Sequence, residues 1–331
     1  MSQVTESQKR RSRITAAMAV AVVAALSLSF IGLILILDSV AGPVRREGPA
    51  VVEVHSDEPF YVLLIGSDSR KGTALYTGKK GEHAQVDQHS DVMTLMRVDP
   101  RSYLITLVTV PRDTVLDGSD GRINDALLDG DPAKAARAVE RLTGVAVPYY
   151  MMVDFTSFSD LIDALGGVVV DVPANVTVPD PMTADNVTVT AGEDQLLDGA
   201  EALVLARARK EYGDDQDALR QVNVRNIEAA IIGKVLESPN DEAVTAALLD
   251  LEENVTTNLD MAAAAFLVMD FVAHGDEVVI YSCTGPYEGG EREDGLWVVD
   301  EQPAAWDELM AVVEAGEDPS GVIPAPRFED R

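Results

Sequence analysis

From Ile14 to Leu37 the chain carries no charged residue, and only Thr15, Ser27, Ser29 and Gly32 interrupt its apolar character. Such a run matches the ~20 residues a helix needs to cross hydrocarbon. It therefore predicts one transmembrane helix over residues 14–37. Lys9, Arg10, Arg11 and Arg13 crowd the N-terminal flank, whereas the first residue after the run is Asp38. The positive-inside rule then leaves residues 1–13 as a cytoplasmic tail and puts everything beyond Asp38 outside the cell membrane. Ser39-Val40-Ala41 would serve a signal peptidase, but the run is longer than the ~7–15 residue core of a cleaved leader. A single-pass anchor is the expectation.

The chain as a whole is acidic, with a formal net charge of −30 over its 331 residues. Nucleic-acid binding needs clustered Lys and Arg to neutralise phosphates, so a DNA- or RNA-binding role is disfavoured. Cys283 is the sole cysteine, which excludes an intrachain disulfide, and its place beside Val278-Val279-Ile280-Tyr281 predicts a buried small hydrophobe. His83 and His89 lack a convincing third ligand for zinc and are expected to be solvated. Three Asn-x-Thr sequons, at Asn175, Asn186 and Asn254, carry no weight.

Residues 38–57 lack periodicity and read as a linker. Phe60 to Ile65 is a continuous apolar run closed by Gly66, as in a strand covered on both faces. Val92–Val98 and Tyr103–Val110 are two more, separated by a turn at Asp99-Pro100-Arg101-Ser102. A polar connection between Ser69 and Ser90 is long for a compact domain. Helical spacing over Pro132–Leu142 precedes a strand at Tyr149–Val153, and Phe158–Leu165 precedes one at Val168–Val172. Further helices are expected over 217–236, 241–251, 259–273 and 303–315, with a last strand near 277–282. This alternation predicts an α/β fold, a three-layer α-β-α domain with a central mixed sheet over residues 58–316, and a flexible tail over 317–331.

Charged residues gather at the expected strand ends: Asp68 and Arg70 after the first, Asp91 opening the second, Arg112 and Asp113 after the third. Ligand sites in open α/β sheets lie at such edges. Two carboxylates with nearby guanidiniums suit a pyrophosphate held through Mg²⁺, which takes one or two carboxylates and shares its other positions with phosphate and water. Asp68 and Asp91 are the candidate metal ligands, Mn²⁺ being an acceptable substitute. By spacing alone, an Asp beside a turn is more often an ordinary turn or cap residue. A second cluster is Arg207-Ala208-Arg209 with Arg220-Gln221. Residues two apart point the same way in an extended chain, and Arg220 falls near the start of a long helix, so the three arginines can serve one phosphate or form salt bridges on an acidic surface.

The order of Leu63-Leu64-Ile65-Gly66-Ser67-Asp68-Ser69-Arg70, Ser90-Asp91-Val92-Met93, Val110-Pro111-Arg112-Asp113-Thr114, Arg122-Ile123-Asn124-Asp125-Ala126, Val153-Asp154-Phe155 and Asp163-Ala164-Leu165-Gly166-Gly167-Val168 resembles the LytR-CpsA-Psr family. Leu197-Asp198-Gly199, Arg207-Ala208-Arg209 and Arg220-Gln221 continue the resemblance. It implies a phosphotransferase that moves a glycopolymer phosphate from a polyprenyl-pyrophosphate carrier to a peptidoglycan hydroxyl, with teichoic acid, capsule and arabinogalactan among the polymers. It matches Asp68 and Asp91 to magnesium ligands. It matches Arg70, Arg112, Arg207, Arg209, Arg220 and Gln221 to the pyrophosphate site, and leaves Asp113 and Asp214 as carboxylates able to take the acceptor proton beside Arg112. Two departures stand out. His89 replaces the usual Arg before Ser-Asp, and Asp217, read as a helix N-cap, replaces the usual Arg before Arg-Gln. Two other functions stay open: a non-catalytic binder of polyprenyl-linked polymer and, less favoured by the acidic outer domain, a membrane-bound transcriptional regulator.

The charge asymmetry gives a direct expectation. A reporter active only in the cytoplasm, fused behind the domain, gives no signal in intact cells; a strong signal would reverse the topology.

Overall fold

The computed structural model describes residues 57–67, 90–119, 121–128, 130–209, 212, 216–237 and 255–326. The expected membrane span at 14–37, the linker before residue 57 and the helix expected over 241–251 lie outside the described residues. Among those described, no helix is long and apolar enough to cross a membrane. Residues 49–331 form one compact unit.

The strands are β1 (Phe60–Ser67), β2 (Ser90–Asp99), β3 (Leu104–Thr109), β4 (Tyr149–Val153), β5 (Val168–Val172), β6 (Val176–Pro179), β7 (Asn186–Val189), β8 (Gly192–Leu197), β9 (Thr256–Thr257), β10 (Val279–Thr284), β11 (Gly289–Glu291) and β12 (Trp297–Val299). The α-helices are α1 (Pro132–Thr143), α2 (Phe155–Ala164), α3 (Gly199–Arg207), α4 (Gln216–Glu237), α5 (Met261–Ala273) and α6 (Pro303–Ala315). Six strands make the main sheet in the order β10-β3-β2-β1-β4-β9. β2 pairs antiparallel with both β1 and β3, β4 runs parallel to β1, and β10 runs parallel to β3. The sheet is thus mixed, as the alternation of motifs implied.

Alternation along β1 explains the layers. Tyr61, Leu63 and Ile65 join Leu95, Val108 and the apolar sides of α1 and α6 in one core. Val62 and Leu64 face the other way, where Val98, Ile105 and Leu107 meet Ile232 and Leu236 of α4 and Phe271 of α5. Successive side chains of a strand point to opposite faces, so a strand apolar throughout requires helices on both sides. Cys283 is buried in β10, and burial pushes its thiol up to about 12, so it behaves as the small hydrophobe its surroundings suggested.

A separate core gathers Ile162 of α2, Val168 and Val170 of β5, Leu197 of β8, Leu205 of α3 and Ile227 of α4. The ladders β5–β8 and β6–β7 in this region are short and largely polar on one side, so no clear strand period marks β6 to β8. The glycines of the two small motifs here have steric reasons. Gly167 adopts φ +93, which L side chains rarely accept. Gly199, capped by Asp198 at the start of α3, lies against α2: a Cβ there would come within 2.2 Å of the Ser159 carbonyl oxygen.

The C-terminal segment departs from the expectation of a flexible tail from residue 317. Pro319 is buried, Val322 and Ile323 pack against the first core, and the Tyr287 hydroxyl donates to the Pro324 carbonyl at 3.1 Å. Apolar residues hidden in a charged, Pro-rich stretch anchor it as far as Pro324.

Gly199→Ala should lower the melting temperature of the domain, by overpacking that costs about 1–3 kcal/mol. Calorimetric melts of the two proteins check this, and an unchanged melt would show that α2 and α3 can part without cost.

Candidate phosphate-binding site

Strand direction brings the charged motifs to one edge of the main sheet. β1 ends there at Ser67, β2 begins there at Ser90, and β3 and β4 end there at Thr109 and Val153. Gly66 pairs with Val92 and Ser67 with Ser90, so Asp91 is the extra residue of a β-bulge. Asp68, Arg70, His89 and Asp214 lie outside the described residues, as does the side chain of Asp91.

Helix α4 starts at this edge and supplies the centre of the site. Asp217 is in its first turn, after Gln216, so it is not the N-cap its position suggested. Its carboxylate instead receives side chains. Arg220 grips it with two nitrogens, Nε to Oδ1 at 3.1 Å and Nη2 to Oδ2 at 3.3 Å, and Gln221 Nε2 donates to Oδ2 at 2.7 Å. Arg112, just past β3, places Nε 3.5 Å from Oδ1, and Arg209, just past α3, places Nε 3.4 Å from the same oxygen. Three arginines from three segments thus converge on one carboxylate. Burial works against the Asp217 charge, but Arg220, Arg112 and Arg209 outweigh it and hold the carboxyl well below the usual range.

Arg220 is 2 % exposed. A guanidinium that buried needs a counter-charge, because desolvation of an unpaired ion costs several kcal/mol. Beside it, Arg112, Arg220 and Gln221 share a small cleft with Val92, Val110 and Val224.

Asp113 is engaged from two sides: Arg122 Nη1 donates to Oδ1 at 2.8 Å and Arg112 Nε lies 3.6 Å from Oδ2. The backbone tightens this pair further, since Asn124 N donates to the Arg112 carbonyl at 3.1 Å and Val299 N to that of Asp113 at 3.0 Å. Asp113, a candidate proton acceptor by sequence, is ion-paired with both Arg112 and Arg122. Arg122 itself was legible only as part of a motif; its role depends on a contact nine residues back.

The expectation for Arg207 and Arg209 is met in the backbone and not in their described contacts. The chain does leave α3 at Ala208, with φ −62 and ψ 134. Arg209 joins Asp217, whereas Arg207 donates from Nη1 to the Pro179 carbonyl at 3.2 Å and lays its guanidinium 5.0 Å from the Phe155 ring centroid. That stacking on an aromatic face is a cation–π contact.

Below the arginines, α4 carries a buried polar row that apolar periodicity conceals. Arg225, 3 % exposed, donates to Thr109 of β3. Glu228 accepts from Thr94, which pairs across the sheet with Thr109, and its Oε2 is buried without a partner. Burial pushes the Glu228 carboxyl up to about 7, against the smaller opposing effects of Thr94 and Arg225.

The family model described as the LytR_cpsA_psr family matches residues 38–311. The chain belongs to that family. Among LytR-CpsA-Psr proteins, it is 27 % identical over 272 residues to one described as the polyisoprenyl-teichoic acid–peptidoglycan teichoic acid transferase TagU of Bacillus mycoides, covering 79 % of this chain and 81 % of that one. Its fold is that of the crystal structure of B. subtilis TagV, with a TM-score of 0.63 at 23 % identity, over 78 % of this chain and 97 % of that one. A structure described as TagT bound to LI-WTA gives a TM-score of 0.61 at 20 % identity, over 80 % and 94 % of the two chains.

Glu228 gives this site a pH signature. Its carboxyl holds a proton more readily in the folded protein than in the unfolded chain, so its stabilising contribution is complete below the ordinary carboxylate range and is lost as pH rises through about 7. Melting temperature should fall between pH 5 and pH 8, and Glu228→Gln should flatten that fall; an identical profile in the variant would assign it to other groups.

Proposed function

We propose that this LytR-CpsA-Psr protein transfers a glycopolymer phosphate from a polyprenyl-pyrophosphate carrier to a peptidoglycan hydroxyl at the outer face of the cell membrane. The observation that carries the reading is the convergence of Arg112, Arg209 and Arg220 with Gln221 at one sheet edge. Preorganised guanidiniums in a partly enclosed site stabilise charge that develops on a transferring phosphate and on its leaving group.

In the reaction, the acceptor hydroxyl oxygen forms a bond to the sugar-linked phosphorus while the bond from that phosphorus to the bridging oxygen breaks. The polyprenyl phosphate leaves with that oxygen and its electron pair, and the hydroxyl proton passes to a carboxylate. Arg112, Arg209 and Arg220 bind and orient the pyrophosphate, with Arg70 and Arg207 as further contacts. Asp113 positions Arg112, which leaves Asp214 as the proton acceptor.

Asp68 and Asp91 would hold Mg²⁺. Asp91 is the bulge residue where β2 begins at the charged end of the sheet, and one or two carboxylates are a donor set that magnesium accepts. When bound, the metal would supply charge neutralisation at the pyrophosphate.

A non-catalytic binder is the second reading, favoured by the Asp217 carboxylate amid the arginines. With the full chain in detergent, a polyprenyl-pyrophosphate-linked saccharide and peptidoglycan should yield free polyprenyl phosphate. Arg112→Ala should slow this by about 100-fold, the usual cost of one preorganised donor, and Asp91→Ala should abolish it. Donor bound without release of polyprenyl phosphate would establish the binder.

A further inference from the structure

The Asp217 carboxylate meets the requirements that a bound phosphate oxygen pair would meet. Arg220 contacts it with two nitrogens and Gln221 donates to it, while the Nε atoms of Arg112 and Arg209 lie 3.5 Å and 3.4 Å from Oδ1. All these donors belong to the proposed pyrophosphate site. A guanidinium presents a limited fork of N–H groups, and those directed at a carboxylate cannot serve a phosphate at the same time. Asp217 is also on the first turn of α4, where the helix amides and the dipole favour whichever anion is present. Its side chain is 27 % exposed, so it is covered by the arginines yet open to exchange with a ligand.

We propose that Asp217 is a tethered internal anion that competes with the ligand phosphate for Arg112, Arg209, Arg220 and Gln221, and so sets the affinity and charge preference of the site. This rests on the reading of the arginine cluster as a pyrophosphate site. The carboxylate keeps the buried Arg220 neutralised in the free protein, and the ligand enters by taking over its donors. The arrangement disfavours small, weakly held anions, which gain only what the tethered carboxylate gives up. A ligand with two phosphates gains more, because it brings more negative charge to the three guanidiniums than one carboxylate does.

A mere scaffold for the arginines predicts the opposite sign, which makes the test decisive. Inorganic pyrophosphate and inorganic phosphate are titrated calorimetrically into the full chain in detergent, comparing wild type with Asp217→Asn and Asp217→Ser. Both variants should bind pyrophosphate at least tenfold more tightly, narrow the preference for pyrophosphate over phosphate, and melt at lower temperature without ligand. Adding Arg220→Ala to either variant should remove the gain. If wild type binds pyrophosphate and both variants bind equally or more weakly, Asp217 is a scaffold and the inference falls alone. A gain that survives Arg220→Ala also overturns it, since the anion would then bind elsewhere. If no protein binds pyrophosphate, the inference falls together with the functional reading.

Discussion

A positive charge under a helix survives only where an anion is held against it, and that constraint organises the functional end of this domain. Arg220 is nearly inaccessible to water, so Asp217 offsets a desolvation cost that would otherwise weaken the fold around it. The same carboxylate draws in Arg112 from the end of β3 and Arg209 from the end of α3. Asp113 repeats the device one shell out, joining Arg112 to Arg122. Asp217 thus ties together the end of β3, the end of α3 and the start of α4, and Asp113 adds an ion pair to segments already joined by backbone bonds.

The sheet provides the frame for this. Because β2 is antiparallel to its neighbours, the turn between β2 and β3 lies at the far edge, and one edge collects the ends of β1, β3 and β4 with the start of β2. Helix α4 then descends from that edge along the sheet, with Gln221 near Val92, Glu228 at Thr94 and Leu236 in the core with Val98. Polar contacts near its start give way to aliphatic ones near its end.

Much of this frame is legible in sequence because burial on both faces leaves a plain signature: a continuous apolar run at β1, mostly apolar runs at β2 and β3 broken by Thr94, Arg97 and Thr106, and helical spacing at α1 and α6. The charged residues at strand ends are equally visible as residues. Their pairing is not. Nothing in local spacing sends Arg209 to Asp217 and Arg207 to Pro179 and Phe155, since both follow from how α3 ends against β6 and α2. Likewise apolar spacing along α4 does not single out Arg225 and Glu228, which the sheet meets with Thr109 and Thr94. The β6–β7 hairpin and β8 escaped notice because strands of four to six residues with one polar face lack enough period to stand out from loops.

The last described residues matter more than their composition suggests. Val322 and Ile323 lie on the same core as Trp306, Leu309 and Val313, whereas the family match ends at residue 311, inside α6. A boundary drawn from family resemblance would cut that helix, and one drawn at Gly316 would strip two aliphatic side chains from its packing. Either cut would bare an oily surface where the molecule now presents closed packing, inviting self-association. The autonomous folding unit thus extends beyond the region that relatives define, to at least the Pro324 carbonyl that Tyr287 binds.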